Sequence, residues 1–142
     1  MRSIHAEKHR PQIEALLRSV GLSKFELVVA ESVQAWAQSV GIKNDNSDRT
    51  GMAATRSDGV ALVVLRSRIT RDQQQSVKDG MLVRGFGAEL DRLDAPEAFL
   101  EHLVLHEAAH LLLDGASKSD CDEWAFDRLA GAIRPVTPAR GR

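Results

Sequence analysis

The 142-residue chain has the size of one domain and is long enough to bury a core without disulfide support. Hydrophobic residues make up 43% and charged residues 27%, which excludes a disordered chain, a collagen-like repeat and a coiled-coil fibre. The net charge of −1 is unevenly spread: Asp94 to Asp127 holds nine acids against the single base Lys118, a local −8 that leaves +7 elsewhere.

An acidic segment of this kind repels phosphate backbones, so no nucleic-acid partner is expected. The longest apolar run, Val60 to Leu65, is far short of a membrane span, and the opening MRSIHAEKHR has no signal-peptide core. The expectation is a cytoplasmic protein with no membrane partner. The lone Cys121 has no internal disulfide partner and reads as a small buried hydrophobe.

In chain order, Pro11 suits a first helical turn, and Ile13, Leu16, Leu17 and Val20 follow at helical spacing until Gly21. Lys24 to Ala30 reads as a strand. Ser32 then caps a helix carrying Val33, Trp36, Ala37 and Val40, which Gly41 ends. Residues 42–58 are polar and rich in turn formers, and read as a long surface loop. The run 59–66, GVALVVLR, is short, continuous and β-branched, as a buried strand requires. Thr70 caps a short helix that ends at Gly80, after which MLVRGFG reads as a strand with glycine kinks. Asp94 and Glu97 form a capping-box-like start, with Pro96 in the first turn of a central helix reaching Leu113. Gly115 stops it, Ser119 starts another helix running to Pro135, and residues 135–142 form a tail.

The central helix carries His106-Glu107-Ala108-Ala109-His110, an HExxH pattern. At about 100° and about 1.5 Å per residue, the two histidines point the same way one turn apart and can share one metal ion. Glu107 lies to one side, where a carboxylate reaches a metal-activated water as general base. A short connection makes the two helices a hairpin with its midpoint between Ala116 and Ser117, which sets Glu123 opposite His110 and Asp127 opposite His106. Glu123 then completes a His2Glu zinc site with an open fourth position, and Asp127 receives the outer N–H of His106. Asp120 and Asp122 compete with Glu123, although both also suit a helix amino terminus. His102 extends the ladder, but its Cα stands about 12 Å along the helix from that of His110, too far to share the ion. A structural, substrate-facing or oxyanion-stabilising role fits it better. The chain has no tyrosine, so oxyanion stabilisation falls to His102, His5, His9, an arginine such as Arg84, or a backbone N–H.

HEAAHLLLDG followed by Glu123-Trp-Ala-Phe-Asp127 resembles the gluzincin kind of zincin metallopeptidase, in which HExxH precedes ExxxD. The short spacer and the strand GVALVVLRSRI further resemble small bacterial and phage peptidases of the ImmA/IrrE type, which are implicated in cleaving repressors. The usual alanine before the second acid is Phe126 here. The resemblance covers residues 59–133. It implies a single α+β zincin-like domain over residues 1–134, with a small sheet packed on the HExxH helix and a following helix supplying the third ligand.

The expected function is zinc-dependent hydrolysis of a peptide bond in a protein substrate presented beside a sheet edge. Zn2+ is held by His106, His110 and Glu123, with Glu107 as base. The rival readings are a non-enzymatic metal-stabilised binding or regulatory module and a metal-dependent hydrolase of non-peptide substrates.

Overall fold

The computed structural model describes residues 2–42 and 49–136. Burial of the run 61–65 organises it. β4 (Ala61–Arg66) is buried at its first five positions and lies between β2 (Phe25–Ala30) and β3 (Gly51–Thr55). β2 pairs with it in parallel, Leu27 opposite Val63, and β3 pairs antiparallel, Met52 opposite Val64. Because strand side chains alternate, Val63 and Leu65 enter one core while Val64 enters another with Met52 and the helix α2 (Val33–Ser39).

The larger core is built on α4 (Pro96–Leu112), which is buried on nearly every side. Its Phe99, Leu100, Val104 and Leu105 pack with Ile13, Leu16 and Leu17 of α1 (Arg10–Ser19) and with Val63 and Leu65 of the sheet. Fully burying each such side chain is worth about 1.5–3 kcal/mol, which explains why the chain is committed to this α+β packing. A small antiparallel pair, β1 (Ile4–His5) with β5 (Arg68–Ile69), ties the amino terminus to the end of β4's segment. No helix among the described residues is long and apolar enough to cross a membrane.

Several expected boundaries move. The segment 42–58 is not all loop. Residues 43–48 lie outside the described residues, but Gly51–Thr55 is β3. Its GMAAT sequence has weak strand propensity, and pairing with the buried β4 overrides it. Residues 81–83 are not strand either: α3 (Arg71–Val83) runs through Gly80 because Met81, fully buried, packs with Leu93 and Phe126. Thr70 does cap α3, in a capping box with Gln73. A 3-10 segment, Gly87–Leu93, then leads to α4. The residue before α4 is Ala95, which makes no side-chain cap, so Asp94 and Glu97 form no capping box; Pro96 begins the helix.

The last helix, α5 (Lys118–Arg128), starts two residues earlier than expected at Ser119, from a capping box between Ser117 and Asp120. It also ends well before Pro135. The fully buried carboxylate of Glu101 on α4 accepts hydrogen bonds from the backbone N–H groups of Ala130 (2.8 Å) and Ile133 (3.2 Å), and draws that stretch out of helical conformation. Of the expected tail, residues 137–142 lie outside the described residues.

Candidate metal centre

A cleft of about 660 Å³ opens over one face of α4, with residues 49–53 of the β3 segment on one side and Gln73, Ser76, Val77, Gly80 and Arg84 of the α3 segment on the other. His102, His106, Glu107 and His110 line it from α4, and Lys118 and Asp122 from α5. Helical spacing brings the His106 and His110 rings to 4.8 Å between centroids, with their Nε2 atoms 3.2 Å apart.

Asp122 is almost completely buried, and its Oδ1 lies 2.7 Å from Nδ1 of His106. An ionised carboxylate is acceptor only, so Nδ1 carries the proton and the Nε2 lone pair of His106 faces His110. Oδ2 accepts two hydrogen bonds from Arg84, through Nε at 2.9 Å and Nη2 at 2.6 Å. Burial alone raises the pKa of Asp122, but the bonds from His106 and Arg84 outweigh it and hold the carboxyl below its ordinary range.

Glu107 is buried against β3. A Cβ added at Gly51 would stand 3.0 Å from Glu107 Oε2 and 3.2 Å from Leu103 Cδ1, so a larger residue would require these side chains to give way, and glycine allows the close approach of strand to helix. Burial raises the Glu107 pKa, against smaller opposing effects of His106, Arg49 and Lys118. Burial lowers that of His110, helped by His106 and Lys118. His102 is pushed down to about 4, first by burial, with Asp122 opposing. It stays neutral near pH 7.

His106, Glu107 and His110 therefore share one cleft, as their spacing predicts. Glu123 and Asp127 do not join them: both are exposed on α5, and neither lines the cleft. The inward face of α5 is Cys121, Asp122, Ala125 and Phe126, so Glu123 is turned by about 100° from Asp122. The hairpin register assumed a symmetric connection, whereas α4 continues six residues past His106 and α5 precedes Asp122 by four. Asp122 thus takes the position against His106 assigned to Asp127. The stripe Cys121, Asp122, Ala125, Phe126 was the sequence signal that marks this face.

Arg84 is engaged with Asp122 rather than aimed at an oxyanion, and His5 and His9 line a separate small cavity of about 140 Å³. Cys121 is buried, and its thiol is raised to about 11, chiefly by burial. Among the described residues no group of three His, Cys, Asp or Glu side chains is placed to hold a metal ion. The paired imidazoles fit two arms of a zinc site; the carboxylate arm expected from Glu123 is not assembled. No protein-family model matches the chain, and comparisons with curated proteins and with solved structures return no match.

Proposed function

We propose that the cleft is a zinc-dependent peptidase centre, with His106 and His110 as the protein nitrogens that hold the metal. The observation that carries the reading is the facing pair of Nε2 atoms at 3.2 Å, one member fixed in tautomer by Asp122, beside a buried glutamate. Zinc, when bound, supplies Lewis acidity and a lowered pKa for water. Glu107 takes a proton onto its carboxylate from the water whose oxygen bonds to the peptide carbonyl carbon, and passes it to the amine nitrogen released as the C–N bond breaks. Its raised pKa suits both halves of that transfer.

A peptide substrate is supported by β3. Among the described residues this strand pairs on one side only, with β4, and its residues 51–53 line the cleft. An extended chain laid along the other edge would gain backbone hydrogen bonds while its carbonyl faces His106 and Glu107. Gly51 keeps that wall close to the base.

The outward placement of Glu123 favours one second reading, a metal-stabilised binding module without catalysis. Metal content of the wild type, His110→Ala and Glu107→Gln, measured with cleavage of a degenerate quenched-fluorescent peptide library, separates the two. A peptidase binds about one zinc per chain, loses it in His110→Ala, and in Glu107→Gln keeps zinc while losing cleavage. Zinc binding without cleavage in the wild type supports the module, and absence of zinc after reconstitution overturns both readings.

A further inference from the structure

Two imidazoles flank the same oxygen of Asp122. Oδ1 is 2.7 Å from Nδ1 of His106 and 3.6 Å from Nε2 of His102. The second separation is too long for a hydrogen bond, and among the described residues His102 Nε2 has no other partner although the residue is only 3% exposed. A buried nitrogen without a partner is costly, so a small rotation of the carboxylate would satisfy His102 at the expense of His106.

Arg84 opposes that rotation. It places both Nε and Nη2 on Oδ2, which leaves Oδ1 as the oxygen available to His106. To reach Asp122, the guanidinium lies back along α3 over Gly80, where a Cβ would meet Nη1 at 3.3 Å and Cζ at 4.0 Å. Glycine is a poor residue inside a helix, and α3 nevertheless runs through it. Its small size has a use at this position: it leaves room for the guanidinium.

We propose that Arg84 is the positioning residue of the centre: by holding Oδ2 of Asp122 it commits Oδ1 to His106 rather than His102, and so presents the Nε2 lone pair of His106 to the cleft. The value of this arrangement rests on the reading of His106 and His110 as metal ligands.

The test uses full-length, histidine-15N-labelled wild type, Arg84→Ala, Arg84→Lys and the double variant Arg84→Ala/His102→Leu. Side-chain 15N correlation spectra of the metal-free proteins report the His106 tautomer, zinc affinity is measured by competition with a chelating dye, and circular dichroism verifies folding. The wild type is expected to show a protonated Nδ1 on His106. Arg84→Ala loses that signal and binds zinc about 10- to 100-fold more weakly, the usual effect of removing an outer partner of a ligand. The double variant, with the competing imidazole gone, recovers the signal and most of the affinity, which loss of a merely structural tie would not do. Arg84→Lys, with one donor group and no planar fork, falls between, and remains informative if the alanine variant does not fold. An unchanged His106 tautomer with zinc affinity within twofold of wild type in either folded single variant overturns the proposal, as does a double variant no better than Arg84→Ala. If the wild type binds no zinc, the metal reading fails, and the His106 spectra still decide the role of Arg84.

Discussion

Asp122 Oδ1 lies 2.7 Å from Nδ1 of His106, so the acid next to Glu123 in sequence, not Glu123 itself, meets the HExxH helix. One step along a helix turns a side chain by about 100°. Asp122 is buried in the cleft wall while Glu123 faces solvent.

This contrast sets the first expectation. Asp122→Asn replaces an ionised acceptor of three hydrogen bonds and leaves Arg84 without its charge partner. It is expected to weaken zinc binding by about 10- to 100-fold and to lower stability by about 1–3 kcal/mol. Glu123→Gln, at an exposed position, should change stability by less than about 0.5 kcal/mol and leave zinc affinity within a few-fold. Chelator competition and urea unfolding check both, and a large loss of zinc in Glu123→Gln alone would refute the placement of α5.

Gly51→Ala tests the contact between the strand and the base. The added methyl would sit 3.0 Å from Glu107 Oε2 and 3.2 Å from Leu103 Cδ1, so strand or carboxylate must shift. A cost of about 1–3 kcal/mol is expected, as for other overpacked sites, with peptide cleavage falling further than zinc affinity because the displaced group is the base. Thermal unfolding and cleavage assays read the two effects separately.

Glu107 is expected to trade stability for function. Its folded-state pKa is raised above the ordinary 4.5, chiefly by burial, so its contribution to stability is present below pH 4.5 and lost as the pH rises through the folded value. Metal-free Glu107→Gln should therefore melt a few degrees higher than wild type at pH 7, with the advantage shrinking toward pH 4. Calorimetry at the two pH values checks this; a variant that melts lower at pH 7 would contradict the buried charge as a cost.

His102 sets an acid limit with the opposite sign. Its folded pKa of about 4 lies below the ordinary 6.5, so the neutral form stabilises the fold fully above pH 6.5. That contribution is lost as the pH falls from 6.5 toward 4 and amounts at most to between about 3 and 4 kcal/mol, at about 1.4 kcal/mol per pH unit. Urea midpoints measured from pH 7 to pH 4 should fall steeply in the wild type and less steeply in His102→Leu. Parallel curves for the two proteins would assign the acid sensitivity elsewhere.

What could be read from the residues was local. The apolar run of β4, the Thr70 cap and the i, i+4 histidines are each set by the geometry of one element and survive in the fold. The strand at 51–55 was not readable, because Met52, Ala53 and Ala54 have no strong strand preference apart from the buried partner they pair with. Gly80 misled in the same way: a glycine weakens a helix by about 1 kcal/mol, less than the burial of Met81 returns.

By itself, the sequence determined that one helix face presents His106 and His110 together with Glu107 beside them, since helical periodicity is a property of the chain. Only the tertiary structure decided that Asp122 faces that helix, that Arg84 holds Asp122, and that Gly51 closes on Glu107. Those relations depend on how two helices and a strand seat against a common core. A shift of one residue in that seating exchanges an inward acid for an outward one.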